Sequence, residues 1–206
     1  MDWTIYHAVN IFARHHKTLA HATFGFETVG VVVYAALVIV LWLATRPGEE
    51  RRWKFAALSA AASAPLALLI NQAIAAFWHR PRPYESHPGV YHLSNSHDPS
   101  FPSDHASAAF GIAFGIYFVD RRVGRLFLVV AALIAAGRLV VGAHYLTDVL
   151  ASVVVGAAAA ALVVGVGRPL LYRAILLLER LTDPLVAGIH RRLSTKTLRW
   201  PVRRRQ

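Results

Sequence analysis

Cysteine is absent from the 206 residues, which excludes a disulfide framework and any thiolate metal site. Acidic residues are scarce: 11 Asp and Glu stand against 22 Lys and Arg, giving a net charge of +11. Charged residues of both signs make up only 16%, against 56% apolar residues. That balance is far from that of a soluble globular domain and points to a membrane protein. In a soluble chain the excess of base would suggest nucleic acid. Here the basic residues flank apolar segments, so membrane topology and anionic lipid explain them and no nucleic-acid partner is expected. The opening stretch MDWTIYHAVNIFARHHKTLAHATF lacks the basic start, short apolar core and small-residue cleavage site of a signal peptide. Its ragged apolar face of Trp3, Ile5, Tyr6, Val9, Ile11 and Phe12 predicts an interfacial helix within residues 1–23.

Long apolar runs dominate what is present. A helix needs about 20 apolar residues to cross a bilayer core. Candidate spans cover 24–44, 55–78, 104–119, a run from Arg125 to Tyr145 interrupted by Arg138, and 149–167. The expected fold is therefore all-α: a polytopic membrane helix bundle of about five transmembrane helices plus the N-terminal interfacial helix. It would form one domain, with 24–167 as its catalytic bundle and 168–206 as a basic amphipathic cytoplasmic tail. Arg46, Arg51, Arg52 and Lys54 separate the first two spans, Arg121, Arg122 and Arg125 separate the third and fourth, and ten more basic residues follow the fifth. By the positive-inside rule that side is cytoplasmic. The 79–103 loop and the turn near 145 then face outward, in the plasma (inner) membrane of the cell. Gly111, Gly115, Gly156 and Ala160 suggest close helix packing. Pro65 predicts a kink, and Asn71 and Gln72 read as interhelical hydrogen-bond partners.

Three polar clusters share the outward side: HRPRPY at 79–84, PSDH at 102–105 and GRLVVGAHYLTD at 137–148. His144 and Asp148 are four apart, so on a helix they share a face. An aspartate so placed can take the Nδ1 proton, fix the tautomer and leave Nε2 free to attack. Arg82 and Arg138 offer planar charged forks that suit phosphate oxygens. Ser103, with the backbone N–H groups at Asp104 and His105, opens a helix, which favours an anion. Asp104 either contacts substrate or caps that helix, and capping is the stronger reading. Arg80 reads equally as a phosphate contact or a solvated loop residue. Glu27, near the outer end of the first span, either tunes a histidine or contacts phosphate, or simply suits its place near a helix N-terminus. The loop histidines His79, His87, His92 and His97 match no metal-ligand spacing, and no metal or other cofactor is expected.

These clusters resemble the type 2 phosphatidic acid phosphatase family, whose pattern is a lysine, six residues and Arg-Pro, then Pro-Ser-Gly-His, then Ser-Arg, five residues, His, three residues, Asp. Arg82-Pro83, the PSDH stretch, Arg138, His144 and Asp148 match in order and spacing over residues 55 to 165. Ala75 stands where the lysine would be, Asp104 replaces the glycine and Gly137 replaces the serine. FPSDHA together with HRPRPY is similar to the bacitracin-resistance type of undecaprenyl diphosphate phosphatases. The resemblance implies His144 as nucleophile, Asp148 as its orienter and His105 as general acid, then base. It implies Arg82, Ser103, Asp104 and Arg138 as phosphate contacts, with Arg80 and Glu27 as further candidates. The implied reaction is metal-independent hydrolysis of a polyprenyl diphosphate, a membrane lipid, through a phosphohistidine. Two alternatives stay open: a broader lipid phosphatase acting on phosphatidic acid or phosphatidylglycerophosphate, and an inactive membrane binding or transport component. The sequence sets no oligomeric state.

Overall fold

The computed structural model describes residues 1–45 and 51–197. Arg46 and the basic end of the tail, 198–206, lie outside the described residues. Eight helices and no strands occur among those described: α1 (Asp2–His15), α2 (Lys17–Leu43), α3 (Arg52–Phe77), α4 (Pro83–Ser86), α5 (Asp104–Tyr117), α6 (Arg121–Val140), α7 (Leu146–Gly165) and α8 (Arg168–Thr197). The stretch 1–23, expected as one interfacial helix, divides at His16, and α2 begins at Lys17, seven residues before the expected start of the first span. Helix α3 runs unbroken through Pro65.

Four helices, α2, α3, α6 and α7, are long and apolar enough to cross a membrane. The fifth expected span is α5, whose 14 residues give a length of about 21 Å. Its Ala106, Ala109, Ala113 and Ile116 are almost fully buried, because α3, α6 and α7 all pack on it. Small residues permit that closeness. A Cβ at Gly156 would lie 2.7 Å from both the backbone nitrogen of Gly111 and Phe110 Cβ, and one at Gly115 would lie 2.9 Å from Ala60 Cα. The interlocked backbones of α3, α5 and α7 carry the catalytic candidates at one end. Gly156→Leu should therefore force α5 from α7 at a cost of ~1–3 kcal/mol or more, read as a lower melting midpoint in detergent.

The opposite end is pinned by ion pairs. Arg52 at the start of α3 meets Asp120, 2.9 Å away, which also caps α6 by accepting from the N–H groups of Arg122 and Val123. Buried Lys54 sits between Glu179 (3.0 Å) and Asp183 (2.7 Å) of α8. Helix α8 buries Leu171 and Ile175 and exposes Leu170, Leu177 and Leu181, an amphipathic element laid against the start of α3 and the end of α7.

Candidate active site

The site is assembled at the end where α3 and α6 finish and α5 and α7 begin. Gly142 makes the turn out of α6: its φ is +75°, and a Cβ there would fall 2.6 Å from the Tyr91 carbonyl oxygen. Only glycine meets both demands without strain. The chain then places His144 just before Tyr145, the N-cap of α7. Because His144 precedes the helix, it does not stack on Asp148 as two helical residues four apart would.

His144 is buried, and its two ring nitrogens face different groups. Nδ1 lies 2.8 Å from the backbone carbonyl of Ser100 and 3.8 Å from Asp148 Oδ2. A carbonyl oxygen can only accept, so Nδ1 carries the proton and Nε2 keeps its lone pair. Nε2 lies 3.3 Å from Arg82 Nη1 and 3.5 Å from Arg138 Nη2. The one unprotonated nitrogen is thus flanked by the two guanidinium forks that would hold phosphoryl oxygens.

Asp148 is fully buried and shares Ser100 with the histidine. It accepts from Ser100 Oγ (2.5 Å), the Tyr145 N–H (2.8 Å) and Arg80 Nη1 (2.6 Å). The direct Asp148–Nδ1 hydrogen bond expected from spacing is taken by the Ser100 carbonyl. Nothing in the sequence pattern marked Ser100, because its contribution to the histidine is a main-chain oxygen that any residue carries. Arg80, an even choice from sequence, is committed to Asp148 and to Asp2, 2.6 Å away.

Arg82 and Arg138 are held rigidly. Arg82 donates to the Asp98 carbonyl and carboxylate, both at 2.9 Å, and to the Ala143 carbonyl at 3.2 Å. Arg138 pairs with Glu27 of α2 at 2.6 Å, both side chains being about 95% buried or more. Glu27 is therefore a counter-ion to a candidate phosphate ligand. Gly137 makes room for this pair: a Cβ there would meet Thr23 Cγ2 at 3.2 Å and Glu27 Oε2 at 3.7 Å. The space beside a serine at this position is occupied by α2.

Ser103 is the N-cap of α5, and its backbone is clasped by Ser152 Oγ, which accepts from its N–H (2.9 Å) and donates to its carbonyl (3.0 Å). Among the described residues, Ser103 Oγ and Arg138 Nε are buried without a hydrogen-bond partner. Both are donors at the expected phosphate cradle, so phosphate oxygens would satisfy them. Asp104 faces α3: it accepts from Asn71 Nδ2 at 2.7 Å, and Asn71 Oδ1 accepts from Ser107 at 3.1 Å. That interhelical bond is the part expected of Asn71, whereas Gln72 is exposed. His105, on the first turn of α5, is exposed. The loop histidines go to separate partners, His87 against Trp3, His92 to the Ser94 carbonyl and His97 beside Glu85.

The family described as the PAP2 superfamily matches residues 55–170. Undecaprenyl-diphosphatase BcrC of Bacillus subtilis (strain 168) is 28% identical over 155 residues, 75% of this chain and 78% of that protein. Putative undecaprenyl-diphosphatase YbjG of Escherichia coli K12 is 28% identical over 127 residues, 61% of this chain and 62% of the relative. Among solved structures, LpxE of Aquifex aeolicus superposes with a TM-score of 0.62 at 22% identity, covering 77% of this chain and 91% of that one. A PAP2-type phosphatidylglycerolphosphate phosphatase of Bacillus subtilis gives 0.60 at 20% identity, covering 81% and 86%. Four membrane-length helices, the shared fold and a family match over more than half its length identify an integral membrane protein; the chain belongs to the PAP2 superfamily.

Proposed function

We propose that this protein hydrolyses a polyprenyl diphosphate, of the undecaprenyl type, to its monophosphate without a metal, at a site on the extracytoplasmic face of the plasma membrane. The observation that carries the chemistry is the placement of His144 Nε2 between Arg82 and Arg138 while Nδ1 is engaged by Ser100. Nε2 attacks the terminal phosphorus, forming a P–N bond as the bond to the bridging oxygen breaks. His105 gives its proton to that leaving oxygen. Water then attacks the phosphohistidine, His105 takes the water proton, the P–N bond breaks and inorganic phosphate leaves. Arg82, Arg138 and Ser103 at the start of α5 stabilise the equatorial oxygens, the usual source of rate in phosphoryl transfer. The name of the Bacillus subtilis relative supports the substrate class, and the sequence positions of seventeen of the 22 basic residues, between the first two spans, between the third and fourth and after the fifth, support the orientation.

The test is phosphate release by purified protein in detergent with excess chelator, comparing undecaprenyl diphosphate with phosphatidic acid. Preference for the diphosphate is expected. Equal or faster turnover of phosphatidic acid would overturn the substrate, and loss of turnover with chelator would overturn the metal-free scheme.

The pH dependence has a definite sign. His144 lies in the loop between α6 and α7, and burial pushes its pKa below the ordinary histidine value, with the positive charges of Arg138 and Arg82 acting in the same direction. The attacking form is neutral, so it persists to lower pH than in a free histidine. The acid limb of kcat/KM should therefore fall below pH ~6.5, measured by phosphate release in overlapping buffers. The same shift makes the fold lose stability as pH drops below that value, because the unfolded chain then binds the proton more readily.

A further inference from the structure

Helix α1 lies wholly outside the segment that matches the family, yet it reaches the frame of the catalytic histidine. Asp2, Tyr6 and Asn10 are spaced by four and share one helical face. Tyr6 donates to the Gly142 carbonyl at 3.2 Å, and Asn10 both donates to the Tyr91 carbonyl (2.5 Å) and accepts from its N–H (3.1 Å). Those two contacts hold the turn that delivers His144. Asp2 does something different. It accepts from Arg80 Nη2 at 2.6 Å, and from the Thr147 hydroxyl (2.5 Å) and N–H (3.2 Å) in the first turn of α7.

Arg80 is thereby shared between two carboxylates, its other branch reaching Asp148 at 2.6 Å while its guanidinium lies over the Tyr145 ring at 4.1 Å. Arg80 and Asp148 alone would form a neutral pair, with little field left to act on His144. With Asp2 the trio carries one net negative charge. That charge matters at one moment: as Nε2 bonds phosphorus, the imidazole ring becomes cationic, and a fixed negative charge nearby favours the transition state over the resting neutral ring.

We propose that Asp2 is a positioning residue of this active site, supplying through Arg80 the net negative charge that supports the developing phosphohistidine. The proposal rests on the phosphohistidine reading above. The experiment uses the full chain in detergent, comparing wild type, Asp2→Asn and Asp2→Glu with undecaprenyl diphosphate as substrate. Expected for Asp2→Asn is a kcat lowered roughly 10-fold with little change in KM or melting midpoint, and recovery of most of the rate in Asp2→Glu. An unchanged kcat in Asp2→Asn overturns it, as does a fall in kcat matched by a fall in melting midpoint, the mark of a purely structural tie. Failure of Asp2→Glu to recover any rate overturns it too. Wild-type protein that releases no phosphate sinks the functional reading and this proposal with it, whereas active wild type with an indifferent variant sinks this proposal alone.

Discussion

His144→Ala should reduce phosphate release by roughly 10⁴-fold or more, with KM for the lipid diphosphate little changed. The reason is geometric. Arg82 and Arg138 are anchored by Asp98, Ala143 and Glu27 and do not depend on the imidazole for their position. The phosphate cradle should survive the substitution, while the nitrogen that forms the P–N bond is gone. Electrostatic stabilisation without a nucleophile leaves only slow attack by water. Rapid acid-avoiding quench with labelled terminal phosphate should trap a phosphoenzyme in wild type and none in His144→Ala. Retention of a phosphoenzyme in the variant would move the nucleophile elsewhere and overturn the scheme. His105→Ala should fall less, by about 10²–10⁴-fold, the usual contribution of a general acid.

Glu27→Gln is the second large effect, and it should appear first in stability. Glu27 and Arg138 are paired at 2.6 Å, with side-chain exposures of 2% and 5%. Glutamine keeps the shape and one acceptor but removes the counter-charge, leaving a buried guanidinium beside Arg82. Breaking a buried pair in this one-sided way costs ~3–5 kcal/mol. Thermal unfolding in detergent should show it as a large drop in melting midpoint, and kcat/KM should fall as Arg138 loses its place. The double change Glu27→Gln with Arg138→Gln should recover part of the stability but none of the activity. A Glu27→Gln variant as stable as wild type would overturn this reading of the pair.

The sequence patterns captured the bundle because its signals are local. Apolar length located α2, α3, α6 and α7, and small residues at 111, 115 and 156 located the tight crossings of α5. The motif spacing located Arg82, Ser103, Arg138 and His144 on one end because each reaches it from a helix terminus. What spacing missed is what depends on chain path. His144 leaves the helical register at the Gly142 turn, so the four-residue interval to Asp148 gave way to a link through Ser100. Glu27 and Asp2 meet Arg138 and Arg80 across sequence gaps of 111 and 78 residues, and no local pattern encodes such pairs. The break at His16, which lets α1 turn back over the site while α2 crosses the membrane, likewise has no strong breaker in the sequence.

The shortness of α5 bears on the lipid as well as on the protein. Helix α2 extends for 27 residues and α5 for 14, about 40 Å and 21 Å, around a hydrocarbon core of about 30 Å. Because α3, α6 and α7 enclose α5, lipid meets the longer helices, and mismatch is set by them while the short helix stays inside the protein. The start of α5, where His105 is exposed, lies where α3 and α6 finish and α7 begins. A lipid headgroup taken by the proposed reaction would reach the histidines at that end of the bundle, while its chains remain among the other lipids.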